Sequence, residues 1–190
     1  MQPDLFSLPQ ASAPRHSLFL ALFPDRETTQ CIAAMAGELQ RKHALSARLR
    51  PQDHLHITLH FFNDYPEIPT SFVELVKQVC APVAASVSPF EVMLDQVTSF
   101  QAKPGHHPLI LIPDETSRES LNRLHEALLK VLKTSTSKPF SPHLTLSYEQ
   151  KVLRPEPVKP IRWTAHEMAL ISSEQGRSLY QRLATWKLGA

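Results

Sequence analysis

The feature that most limits what this chain can become is the run Asp53-His54-Leu55-His56-Ile57-Thr58-Leu59-His60-Phe61-Phe62. Leu55, Ile57, Leu59 and Phe61 fall on one parity; His54, His56, Thr58 and His60 fall on the other. Side chains of a strand alternate between its two faces. The run therefore reads as a strand with one apolar, core-facing side. Its other side carries three imidazoles and a hydroxyl in a row. The outer face of a half-buried strand is ordinarily given to side chains that only need water. A row of groups that titrate near neutrality points to chemistry instead.

The pattern occurs twice. In Pro142-His143-Leu144-Thr145-Leu146-Ser147-Tyr148, the residues His143, Thr145 and Ser147 share one parity and Leu144, Leu146 and Tyr148 the other. Common to both runs is His-x-Thr-Leu, as His56-Ile57-Thr58-Leu59 and as His143-Leu144-Thr145-Leu146. If the two strands face one another across a groove, His56 and Thr58 enter it from one side and His143 and Thr145 from the other. Two imidazoles divide acid and base roles at neutral pH, one charged and one neutral. Two hydroxyls donate hydrogen bonds to the nonbridging oxygens of a phosphate. That is equipment for in-line phosphodiester chemistry without a metal. Alternate apolar residues seat each strand in the core and so fix both side chains.

The remaining chain sets these strands among helices and further strands. Residues 1–15, with Pro3, Pro9 and Pro14, read as a mobile tail, and residues 16–190 as a single bilobal domain. Ser17 to Phe23 is apolar on both parities and predicts a strand buried on both faces. Asp25 is placed to cap a helix running to about Lys42. Ser71-Phe72-Val73-Glu74 fits a capping box for a second helix to about Ala85, with a stripe of Phe72, Leu75, Val76, Val79 and Cys80. Phe90–Val97 and Leu109–Ile112 predict a hairpin about the turn Lys103-Pro104-Gly105. A third helix spans Asp114 to Lys133, with Thr116 and Glu119 as its capping box and Leu121, Leu124, Leu128 and Leu132 as its stripe. A polar loop, Thr134 to Ser141, leads into the second motif. Lys151 to Pro160, with three prolines, reads as loop, and Ile161–Ile171 with Leu179–Leu188 as a terminal hairpin. Helices alternating with paired strands predict an α+β fold of mainly antiparallel sheets. The repeated strand predicts two pseudo-symmetric lobes with helices on their outer faces and a central groove between them.

Composition narrows the function. The chain has 190 residues, 42% hydrophobic, with a formal net charge of +2. That allows anionic substrates but is no polycationic nucleic-acid coat. Cys31 and Cys80 read as buried small hydrophobes, and no Cys-x-x-Cys pair marks a zinc site. The longest apolar run, Leu18 to Pro24, is too short to span a bilayer, and no basic stretch precedes it. A monomer in the reducing cytoplasm is the default, with no membrane association.

With both motifs in hand, the chain resembles the 2H phosphoesterase superfamily, and within it the bacterial RNA 2',3'-cyclic phosphodiesterases, also called 2'-5' RNA ligases or LigT-like. The likeness runs from about Ser17 to the C-terminus. Leu18-Phe19-Leu20-Ala21-Leu22-Phe23-Pro24 is similar to the family's opening strand and His54-Leu55-His56-Ile57-Thr58-Leu59 to its first motif. Lys138-Pro139-Phe140-Ser141-Pro142-His143-Leu144-Thr145-Leu146 is similar to its second motif, and Tyr180 to Leu188 to its closing strand. Family members often carry Gly soon after the first motif and Arg three residues after the second-motif Thr; Asn63-Asp64 and Tyr148 stand there in this chain.

The resemblance implies roles. His56 is the proton donor to the leaving 3'-oxygen, His143 the proton acceptor that activates water, and Thr58 and Thr145 bind the substrate phosphate. Hydrolysis of a 2',3'-cyclic phosphate would leave a 2'-phosphate, and the reverse reaction with a 5'-hydroxyl end would be a 2'-5' ligation needing no ATP. No cofactor is implied; the partners are RNA or nucleotide ends bearing a 2',3'-cyclic phosphate. The chain has four glycines and no phosphate-binding Gly-rich loop ending in Gly-Lys-Ser/Thr, in keeping with this. Alternatives are a phosphodiesterase for another small cyclic or linear nucleotide-derived phosphodiester, or a non-catalytic RNA- or nucleotide-binding module.

Other residues read more plainly. His54 and His60 share the parity of His56, but no carboxylate or cysteine joins them at metal-ligand spacing, so they read as supporting or solvent-facing. His106 and His107 read as loop residues, and His16, His43, His125 and His166 as surface or core. Arg48, Arg50, Lys103, Lys138 and Arg154 flank the expected groove as solvated cations, one or two of them within reach of RNA phosphates. Phe19, Phe62 and Tyr148 read as core residues, with base stacking as the alternative.

Overall fold

The computed structural model describes residues 15–135, 139–177 and 179–190. Among these residues the order is β1 (His16–Leu22), α1 (Arg26–His43), a 3-10 turn (Gln52–His54), β2 (Ile57–Tyr65), α2 (Thr70–Ser86), β3 (Phe90–Ser99) and β4 (His107–Pro113). Then follow α3 (Glu115–Leu132), β5 (Leu144–Glu149), β6 (Glu156–Ala165), β7 (Glu167–Glu174) and β8 (Leu179–Lys187). The expected tail lies outside the described residues except for Arg15, and so does Lys138.

The strands form one antiparallel sheet in the order β6-β3-β4-β5-β2-β1-β7-β8. The α+β class and antiparallel pairing are as the alternation of elements predicts. The sheet is thinnest at its middle: β2 and β5 share the single pair Ile57 with Leu144, while β1 and β2 share seven. Two four-stranded halves, β6-β3-β4-β5 and β2-β1-β7-β8, therefore meet at the two motif strands. Counted outward from that seam the halves match, β5 with β2, β4 with β1, β3 with β7 and β6 with β8.

One face of the sheet carries the main core. Leu18, Leu20, Leu22, Ile57, Leu59, Leu109, Leu111, Leu144 and Leu146 pack there in a single cluster with buried residues of all three helices. The opposite face holds a small cluster, Phe19, Ala21, Ala169 and Ile171, with Phe23 and Tyr180 against it. Asp25 caps α1 by accepting from the Thr28 amide, and Asp114 caps α3 by accepting from the Ser117 amide. Left-handed Ala44 and Lys133 end these two helices, each amide returning to a carbonyl of the last turn.

Several expectations give way to tertiary context. Neither capping box forms: α2 starts at Thr70 after Pro69 without a side-chain cap, and the Asp114 carboxylate already serves α3. Leu75 is 54% exposed, outside the α2 stripe. Cys31 is exposed, because α1 turns Ile32, Ala36 and Leu39 to the core instead; Cys80 is buried. The segment expected as loop holds the first half of β6, including Pro157 and Pro160. β6 is an edge strand, where a residue without an amide hydrogen costs no ladder bond on the open side. Ile161–Ile171 is likewise two strands, split at His166, with β6 on β3 and β7 on β1; β7 and β8 do form the terminal hairpin. No helix among the described residues is long and apolar enough to cross a membrane.

Candidate active site

The seam brings the two motifs together. Antiparallel strands put paired residues on the same face, and Ile57 and Leu144 both point into the core. Their neighbours on each strand therefore point to the other, open face. Continuing that register sets His56 beside Thr145 and Thr58 beside His143. All four are half-buried, at the seam between the halves.

The two imidazoles are held alike. His56 Nδ1 lies 2.8 Å from the His54 carbonyl, and His143 Nδ1 lies 2.7 Å from the Ser141 carbonyl. A carbonyl only accepts, so Nδ1 donates in both rings and Nε2 is left as the acceptor of the neutral form. His56 Nε2 lies 3.1 Å from the Thr58 hydroxyl, which donates to it. Burial lowers the His56 pKa to about 4; the positive charges of Arg50, His143 and His54 push the same way, against the His54 carbonyl. Burial also lowers the His143 pKa, opposed by the Ser141 carbonyl. Both rings are thus neutral at pH 7.

Aromatic side chains fix the ring of His56. Phe19 stacks on it with centroids 5.0 Å apart, Phe23 lies at 5.6 Å, and Tyr180 meets it edge-on at 5.7 Å. Phe100 meets His143 edge-on at 4.9 Å. Phe23, Tyr180, Asp53 and Arg182 line a cavity of about 490 Å³ beside His56, with Arg182 over the Phe23 ring at 4.5 Å. A larger hollow of about 760 Å³ lies away from the motifs, between α1 and β6.

Strict alternation fails just past each motif. On β2, Thr58 pairs with Ala21 and His60 with Leu20, leaving Leu59 as an extra residue. On β5, Thr145 pairs with Ile110 and Ser147 with Leu109, leaving Leu146 as the extra residue. Each is a β-bulge at the Leu of His-x-Thr-Leu, and each reverses the parity beyond it. His60 therefore leaves the face of His56 and turns to the helices, 6.5 Å from the ring of His125. Ser147 turns inward and donates to buried Glu149. Phe61 and Tyr148, expected in the core, are exposed by 51% and 38% on the open face. Tyr148 stacks on His106 at 4.4 Å. Phe19 and Phe62 do pack with the two clusters.

Two further expectations change. His54 is not on the strand: it ends the 3-10 turn, is buried, and stacks on Tyr180 at 4.0 Å. Arg50 is not merely solvated. It is half-buried, and its guanidinium donates to the Tyr180 hydroxyl at 2.9 Å. Arg48, Lys103 and Arg154 are exposed. Among the described residues, no group of three or more His, Cys, Asp or Glu side chains is arranged to hold a metal ion.

Known proteins share this architecture. TT0787 of Thermus thermophilus superposes with a TM-score of 0.71 at 21% identity, over 92% of this chain and 98% of that one. Escherichia coli LigT in apo form gives 0.70 at 20% identity, over 93% and 99%. LigT complexed with 3'-AMP gives 0.66 at 21% identity, over 93% and 99%. No match was found among curated protein sequences. A family model described as the 2'-5' RNA ligase superfamily matches residues 23–177, both motifs included. The chain belongs to the 2'-5' RNA ligase superfamily.

Proposed function

We propose that this protein hydrolyses 2',3'-cyclic phosphate ends of RNA to 2'-phosphates by a metal-independent, two-histidine mechanism. What carries the reading is the meeting of two His-x-Thr segments at the one residue pair that joins the halves of the sheet. Membership of the superfamily supports a phosphoesterase, and LigT, a protein of the same fold, has been seen with 3'-AMP and with phosphate.

In this mechanism the Thr58 and Thr145 hydroxyls donate to the nonbridging oxygens of the cyclic phosphate. His143 Nε2 takes a proton from water as the water oxygen bonds to phosphorus. The bond from phosphorus to the 3'-oxygen breaks in line, and His56, which takes up a proton at Nε2 from solvent as substrate binds, delivers that proton to the oxygen. The product carries a 2'-phosphate and a free 3'-hydroxyl. With an RNA 5'-hydroxyl in place of water, the same steps yield a 2'-5' linkage, driven by the strained ring rather than by ATP.

The test is incubation with a nucleoside 2',3'-cyclic phosphate in EDTA. A 2'-phosphate should form, and His56→Ala and His143→Ala should each lose about 10²–10⁴-fold in rate. No product, or full activity in either variant, refutes the proposal. A panel of other cyclic and linear phosphodiesters separates the second enzymatic reading, and binding without turnover would identify a non-catalytic module.

A further inference from the structure

We infer that Arg50 is the anion-binding residue of this cleft, held by Tyr180 over the place where a substrate phosphate sits between the motifs. The inference rests on the phosphoesterase reading and names the cation that reading otherwise lacks. Arg50 is tied to both halves of the molecule. Its amide donates to the Leu146 carbonyl at 2.7 Å, on the bulge of β5, and its guanidinium reaches Tyr180 on β8. Tyr180 is itself immobilised by face-to-face contact with His54 and by edge contacts with Phe19 and His56. A guanidinium so held loses little further freedom on binding an anion.

Among the described residues no carboxylate lies within 4.0 Å of the Arg50 guanidinium, whereas Arg118, Arg162, Arg177 and Arg182 each have one. A half-buried cation beside the His56 imidazole and the Tyr180 phenol is costly to desolvate, and a bound phosphate offsets that cost. The groups that face His56 are Arg50 and His54 from the segment before β2, His143 from the head of β5 and Tyr180 from β8. None of these is an anion at neutral pH. Arg182 lies beyond Phe23. The Asp53 carboxylate bears on Tyr180, whose hydroxyl is pushed up by burial first and by this charge last, with Arg50 opposing both.

A proton-uptake step follows. An arriving phosphate offsets Arg50, so the His56 imidazole becomes the better base and picks up a proton from solvent, beside the oxygen it is to protonate. The acid thereby forms only when substrate is present.

Titration of the full chain with inorganic phosphate, followed by calorimetry in two buffers of different ionisation enthalpy and by NMR of the His56 ring, tests this without any turnover. Expected are net proton uptake on binding and a His56 pKa that rises with phosphate. Arg50→Gln should bind phosphate at least tenfold more weakly and should raise the His56 pKa of the empty protein. Arg50→Lys should fall between, and it carries the same test should Arg50→Gln not fold. Tyr180→Phe should weaken phosphate binding and shift the His56 titration in the same direction as Arg50→Gln. Arg50 variants that bind phosphate within twofold of the parent, with an unmoved His56 titration, overturn the inference even if the cyclic phosphodiesterase is active. Arg50-dependent phosphate binding without any turnover upholds it and removes the hydrolase reading instead.

Discussion

Each motif imidazole is anchored by the carbonyl two residues before it, so the nitrogen facing the cleft is the unprotonated one. This has a consequence for stability against pH. His56 titrates at about 4 in the fold and near 6.5 unfolded. A lowered histidine pKa favours the fold above pH 6.5, and that contribution is lost as the pH falls from there through 4. The full difference is of order 3 kcal/mol. In His56→Gln, unfolding free energy between pH 6.5 and 4 should therefore fall less steeply than in the parent, as measured by urea titration. In the proposed reaction, the rate should be bell-shaped in pH, reporting the coupled pair. At this scale the two histidines and two threonines were legible, because strand periodicity displays them as neighbours. Arg50 was legible only as a flanking cation: its bonds run to Tyr180 and to the Leu146 carbonyl, partners 130 and 96 positions away (180 − 50 and 146 − 50). No local pattern records such pairs.

At the scale of elements, the bulges at Leu59 and Leu146 matter most. Period-two reading placed Phe61 and Tyr148 in the core and His60 and Ser147 beside the motif residues; the extra residues Leu59 and Leu146 reverse all four. A bulge has no signature in hydrophobic alternation when the extra residue is itself apolar. The two assignments differ in a measurable way. Phe61→Ala should change unfolding free energy by about 0.5 kcal/mol or less, as for a surface site. A core phenylalanine would cost about 3–5 kcal/mol. Leu146→Ala, at a residue buried to 1% exposure, should cost about 2–5 kcal/mol. The prolines of β6 make the complementary point. They read as loop because proline breaks central strands, and only the strand order shows that β6 is an edge. As on other edges, they discourage pairing with a second chain. Replacing Pro157 and Pro160 with Thr should leave thermal stability nearly unchanged yet increase self-association in sedimentation.

For the whole molecule, the decisive fact is how thin the strand ladder is where the halves meet, although one core cluster packs against both. One residue pair, the Arg50 amide on the Leu146 carbonyl, and the Ala47 amide on the Glu149 carboxylate link them near the cleft. A phosphate held from both sides should act as a further clasp. At about 100 times its Kd, inorganic phosphate should add about 2.7 kcal/mol to the unfolding free energy, read as a rise in Tm. Amides around Ile57 and Leu144 should then exchange more slowly with solvent. The expected two-lobed plan follows from the repeated motif, but not the path of the chain through it. β3 to β6 are contiguous, whereas β1 and β2 wait for β7 and β8 to complete their half.

That order bears on how truncated genes behave. A stop codon just after Ala165 would spare both histidines and both threonines. The shortened product would still lack Tyr180, leaving Arg50 and His54 without their shared support and one side of β1 without its neighbour. A chain cut anywhere between Ala165 and Tyr180 should therefore behave as a complete loss, although every residue of the two motifs is present.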